Sequence, residues 1–143
     1  MDVDPWTNVQ VGVGSRAVAY LWEWVGERPH RLRVLRSRQG FAAHADEAWQ
    51  GVGGQLAVFE GEGTSLRDAG LAPLTDYWYT FFVRVGGGGE WRLLLEERIS
   101  TTAEDEKPRR RPLLGDGSPV DDVLGGVLGI AGLALDAHDW LSP

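Results

Sequence analysis

Between Val9 and Thr102 apolar side chains recur at every second position in short runs, the period of a strand with one buried face. Ala17 to Trp22 alternates, with Val18, Tyr20 and Trp22 on one side. Arg31 to Ser37 alternates as well, setting Leu32 and Val34 against Arg31, Arg33 and Leu35. Leu56 to Glu60, Tyr77 to Val85 and Glu90 to Thr101 supply further strands. Glycine-rich breaks separate them, at Gly12, Gly14, Gly26, Gly40, Gly51 to Gly54, Gly61 to Gly63, Gly70 and Gly86 to Gly89. Turn signals at this spacing, with no long helical period, predict an all-β unit over residues 1–102.

The pattern changes after Thr102. Residues 103–117 place an acidic block, Glu104 to Glu106, beside Arg109 to Arg111, bracketed by Pro108 and Pro112. Such a segment reads as a charged, proline-bearing linker that resists regular structure. Residues 118–143 then carry helix signals. Ser118 suits the N-cap and Pro119 the first helical position, and Asp121 follows the cap by three residues. Val120, Val123, Leu124, Val127, Leu128, Ala131, Ala134 and Leu135 form one apolar face of this predicted tail, and Gly125, Gly129 and Gly132 line much of the other side. Glycine in a helix interior costs about 0.8–1 kcal/mol relative to Ala. The tail is therefore expected to need a surface to pack on, in its own chain or in a neighbour.

At Gly61 to Arg84 the chain carries Thr64, Asp68, Leu71, Pro73, Thr75, Tyr77, Tyr79 and Phe81 in a spacing that resembles the E strand, E–F turn and F strand of fibronectin type III domains, especially bacterial and phage ones. Tyr20 and Trp22 resemble strand B with its core tryptophan, and Leu32 to Phe41 resembles strand C and the loop after it. The resemblance implies a fibronectin type III or immunoglobulin-like β-sandwich, to which the sequence adds a C-terminal α-helical tail. It further implies structural roles for Trp22, Leu71 and Pro73, and a tyrosine corner at Tyr77. The segment Arg38 to Gly54, with Phe41 and Trp49, is longer and more aromatic than a plain hairpin.

Composition narrows the function. Net charge is −7, and neither side of Thr102 is basic, which argues against nucleic acid as the ligand. There is no Cys, so no disulfide and no thiolate chemistry. The apolar run Val123 to Leu135 is shorter than the ~20 residues that span a bilayer, and the tail lacks Lys and Arg, which argues against a membrane partner. Met1 to Trp6 shows no secretory pattern. The expectation is cytoplasmic synthesis, with incorporation into a virion or other particle as one destination.

Catalytic patterns are missing from the sequence. His30, His44 and His138 form no ligand pair, no phosphate-binding glycine loop is followed by a helix start, and Asp116, Asp121 and Asp122 miss the calcium-loop spacing. No cofactor, metal or catalytic residue is assigned, and the chain is read as no enzyme. A binding face is easier to derive. With Tyr77, Tyr79, Phe81 and Val83 turned inward, Trp78, Phe82 and Arg84 turn outward beside Arg33 and Leu35. This predicts an apolar patch of Leu35, Trp78 and Phe82 rimmed by Arg33 and Arg84, open to a partner or covered by the C-terminal helix of the same chain. The leading expectation is a non-enzymatic subunit or adaptor of a larger protein assembly such as a phage tail or virion, with self-association as one option. The alternatives are a surface-exposed or secreted adhesion and carbohydrate-binding module, and an accessory domain of a larger enzyme.

Overall fold

The computed structural model describes residues 5–26, 30–85 and 89–113. The expected helical tail, Ser118 with its cap and the apolar positions Val123 to Leu135 lie outside the described residues. Among the described residues, eight strands and one short helix follow in chain order: β1 (Trp6–Val13), β2 (Ala17–Trp24), β3 (His30–Ser37), α1 (Glu47–Gln50), β4 (Leu56–Gly61), β5 (Ser65–Ala69), β6 (Asp76–Val85), β7 (Arg92–Ser100) and β8 (Arg109–Pro112). They form two four-stranded sheets, ordered β5-β2-β1-β8 and β4-β3-β6-β7. With β1, β2 and β5 read as A, B and E in one sheet and β3, β6 and β7 as C, F and G in the other, the strands follow the partition of immunoglobulin-like domains. The fold class is therefore the expected all-β one, of the fibronectin type III and immunoglobulin-like kind.

In the β5-β2-β1-β8 sheet, Val9, Val11, Val18, Tyr20 and Trp22 are all buried. Trp22 meets Trp6 at a ring-centroid separation of 5.9 Å and a tilt of 56°. β1 bends at Asn8, which has a left-handed φ of 52° and donates from Nδ2 to Glu23 Oε1 at 3.1 Å. Asn tolerates that conformation better than most residues. The turn between β5 and β6 is tied by Thr101, whose Oγ1 donates to Ala72 O (2.6 Å) and accepts from Thr75 N–H (2.9 Å). Leu74 sits in this turn at φ 50°, exposed and left-handed.

β8 corrects the expectation of an irregular linker. Residues 109–112 pair antiparallel with β1, in the register Gln10↔Pro112, Val11↔Arg111, Gly12↔Arg110 and Val13↔Arg109. The bond from Leu113 N–H to Val9 O, 2.7 Å, prolongs the pairing. Backbone groups make a ladder whatever the side chains are. Arginines and a terminal proline suit an edge strand, because both discourage further pairing. In the segment before β8, Glu104 forms an ion pair with Arg16 of the β1–β2 turn and Glu106 one with Arg109 (2.9 Å).

In the β4-β3-β6-β7 sheet, β3 and β6 run antiparallel in unbroken register from His30↔Val85 to Ser37↔Trp78. Leu32 and Val34 share one face with Tyr79, Phe81 and Val83, and all five are buried. Tyr77 is buried too, with the guanidinium carbons of Arg36 and Arg38 each 5.5 Å from its ring. Bulges interrupt both outer ladders, between Val34 and Leu35 opposite β4 and between Phe81 and Phe82 opposite β7.

Candidate interaction surface

The second face of the β4-β3-β6-β7 sheet carries Arg31, Arg33, Leu35 and Ser37 from β3, and Trp78, Thr80, Phe82 and Arg84 from β6. The predicted open patch does not exist as such. Leu35 is 0% and Phe82 4% exposed, and both pack in a cluster with Ala42 and Ala45, joined by Ala48 and Trp91. The cover is the chain's own segment between β3 and β4, residues 38–55, which folds over the sheet. Trp78 and Arg84 are half-buried, and Arg33 keeps only 13% of its side-chain exposure.

The local chemistry explains why this segment closes. Ala42, Ala45 and Ala48 recur every third residue, and their small side chains let the backbone approach Leu35 and Phe82 closely. Ala42 N–H donates to Thr80 Oγ1 at 2.9 Å, which fixes the segment to the sheet and satisfies a buried hydroxyl. Glu47 Oε2 accepts from the backbone N–H of Ala43 (2.9 Å) and His44 (3.2 Å), holding the entry to α1. On the return path, Ser37 Oγ donates to Gly53 O (2.6 Å) and Gln55 Nε2 donates to Gly40 O (3.0 Å). Gly54 has a φ of 65°, and a Cβ there would come within 2.8 Å of Gln39 Nε2.

Arg33 is the hub of what remains at the surface. Its Nε donates to Glu60 Oε1 (2.8 Å), and its Nη1 donates to Asp46 Oδ1 (2.9 Å) and Ala45 O (3.1 Å). Glu60 stands directly opposite Arg33 on β4, and its second oxygen takes Arg31 Nε at 3.1 Å. Burial pushes the Glu60 carboxyl up, but the hydrogen bonds from Arg33 and Arg31 and their charges outweigh it and hold it below the usual carboxylate range. The Arg33 guanidinium lies 4.4 Å from the ring of Trp49 and 4.4 Å from that of Trp91. Arg84 reaches Trp91 as well, at 4.7 Å. Indoles and guanidinium groups thus alternate along the chain of contacts Arg84, Trp91, Arg33, Trp49, each contact a cation–π interaction.

Trp49 ends that series and is 60% exposed, the largest exposed aromatic among the described residues. Phe41, Val52 and Leu56, from the same covering stretch or the start of β4, are exposed at 39–55%. A second aromatic pair, Trp24 stacked on His30 at 4.9 Å, is closed by Trp24 Nε1 donating to Glu62 O at 2.9 Å. It presents no metal-ligand cluster, and among the described residues no such cluster of His, Asp and Glu occurs.

The expected binding residues therefore divide. Arg33 and Arg84 stay at the surface cluster, Trp78 is half-buried, and Leu35 and Phe82 belong to a covered core. Trp22 and Leu71 are buried, and Pro73 is half-buried. Trp49, Trp91, Asp46 and Glu60 were not singled out by alternation. The signal that could have pointed to them is the triplet spacing of alanines ending at Trp49, beside a strand face bearing Leu35 and Phe82.

No protein-family model and no curated protein matches the sequence. Similar solved structures include a fibronectin type III domain derived from the human KIAA0970 protein, at 17% identity over 76% of this chain and 80% of that one, TM-score 0.49. A computationally redesigned β-sandwich protein is similar at 16% identity over 74% and 97% of the two chains, TM-score 0.49. A multidomain fragment of titin matches at 16% identity over 69% of this chain and 32% of that one, TM-score 0.44. The fold assignment rests on the strand order and registers of this chain.

Proposed function

We propose that the chain is a non-catalytic interaction module, a subunit or adaptor of a larger protein assembly, which grips a neighbouring protein through the surface around Trp49. The observation that carries this reading is an indole with 60% exposure that is nevertheless held in place from behind by Arg33. A large aromatic fixed at the surface loses little conformational entropy on binding, and tryptophan and arginine are favoured interface anchors. The exposed Phe41, Val52 and Leu56 on the same stretch support it. The resemblance of Gly61 to Arg84 to phage and bacterial fibronectin type III domains supports an assembly of the phage-tail or virion kind.

The test is a photo-crosslinking residue placed at position 49 and, as a control, at exposed Ser65 on β5, in extracts of the source of the chain. A protein adduct of defined mass is expected from position 49 and not from position 65. Equal labelling from both positions, or none from either, would remove the reading. The alternative of a carbohydrate-binding adhesion module is favoured by one feature, the open indole face of Trp49. It predicts saturable quenching of tryptophan fluorescence by soluble glycans with no protein adduct.

A further inference from the structure

We propose that the open face of Trp49 receives an arginine side chain of the partner protein, with Asp46 as its counter-charge. This rests on the reading of the Trp49 surface as a protein-binding site and names the chemistry that the partner must bring. The alternating series itself supplies the first argument. Trp91 takes two guanidinium groups, Arg33 at 4.4 Å and Arg84 at 4.7 Å, so this environment already holds one indole against two cations. Trp49 takes one, Arg33, and remains 60% exposed. The next member that continues the alternation is a guanidinium from outside.

Charge supplies the second argument. Asp46 lies three residues before Trp49 at the start of α1, and its side chain is 67% exposed. Its Oδ1 accepts from Arg33 at 2.9 Å, while no hydrogen bond occupies Oδ2 among the described contacts. Arg33 shares Glu60 with Arg31, so these two arginines are balanced by Glu60 and Asp46 together. Asp46 and Trp49 stand three residues apart on one turn, which puts the exposed ring and the exposed carboxylate within reach of one incoming side chain. The planar fork of arginine suits both contacts, stacking on the ring and donating to the carboxylate, whereas an ammonium is a point charge. The net charge of −7 adds a long-range attraction for a basic partner surface.

The experiment titrates the 143-residue chain with the blocked tripeptide acetyl-Gly-Arg-Gly-amide and follows the indole N–H signals by NMR. Trp49→Phe identifies the signal of Trp49. A saturable shift of that signal is expected in the millimolar range. The same tripeptide with citrulline, which keeps the shape and loses the charge, is expected to leave it unmoved. Asp46→Asn, whose amide oxygen still accepts from Arg33, is expected to weaken the response about two- to fivefold, the size of one exposed cation–π or ion-pair contact. No saturable shift, an equal response to citrulline, or a response to methyl glucoside in place of arginine would overturn the proposal. A protein crosslink at position 49 without an arginine response would leave the module reading standing and remove this inference alone. Loss of both would remove both.

Discussion

The second faces of β2 and of β3 with β6 follow the same alternation yet carry side chains of different size. On β2 that face carries the small side chains of Ala17 and Ala19, both buried, with Leu21 part-buried against them. On β3 and β6 it carries Leu35 and Phe82, which are too large to leave in water and are roofed by residues 38–55. Alternation tells which side chains share a face of a sheet. Whether that second face meets solvent is decided by the length and composition of the segments beside it.

The largest test of this comparison is Phe82→Ala. A buried phenylalanine lost from a packed cluster costs about 3–5 kcal/mol, whereas a residue on an open face costs under about 0.5 kcal/mol. Urea unfolding of the variant distinguishes the two, and the covered face predicts the larger loss. The next test is Thr101→Val. The hydroxyl serves Ala72 O and Thr75 N–H at once, so removing it is expected to cost about 1–3 kcal/mol by the same measurement. A loss under a few tenths would mean that backbone bonds alone hold the turn. Leu74→Asn works in the opposite direction, because Leu74 is exposed at φ 50° and Asn accepts that conformation more readily. A gain of up to about 1 kcal/mol is expected, read as a raised midpoint with unchanged m-value.

The smallest effect concerns the ion pairs that join β4 to β3 beside the roof. The Glu60 carboxyl is held below the usual range by Arg33 and Arg31, so its ionised form contributes stability that is present above the unfolded pKa. That contribution is lost as pH falls through the lowered folded value. Glu60→Gln is therefore expected to be less stable than the parent at neutral pH, by about 1 kcal/mol for pairs that are part-exposed and screened by solvent, and equal to it in acid. A deficit that persists unchanged below the carboxylate range would assign the effect to packing instead.

Much of the architecture was legible because it rests on side-chain periodicity. Val18, Tyr20 and Trp22, or Tyr79, Phe81 and Val83, announce their buried face by recurring at every second position. β8 was hidden because Arg109 to Pro112 contribute through their backbone, and charged side chains with prolines read as linker until β1 offers an edge. The surface cluster was half legible. Arg33 and Arg84 follow from strand alternation, but Trp49 and Trp91 lie outside the strands, and their meeting with Arg33 depends on a fold of residues 38–55 that no short-range pattern specifies. Only Ala42, Ala45 and Ala48, and the glycines at positions 51, 53 and 54, hint at a tight return.

The central claim is that Trp49 is a surface anchor held over a closed roof and is not itself part of the core. The most direct measurement is the unfolding free energy of Trp49→Ala. The exposed indole and its contact with Arg33 predict a loss of about 1 kcal/mol or less, with the sheet intact. A loss of about 3–5 kcal/mol, the cost of removing a buried aromatic, would contradict it and place Trp49 in the core with Phe82.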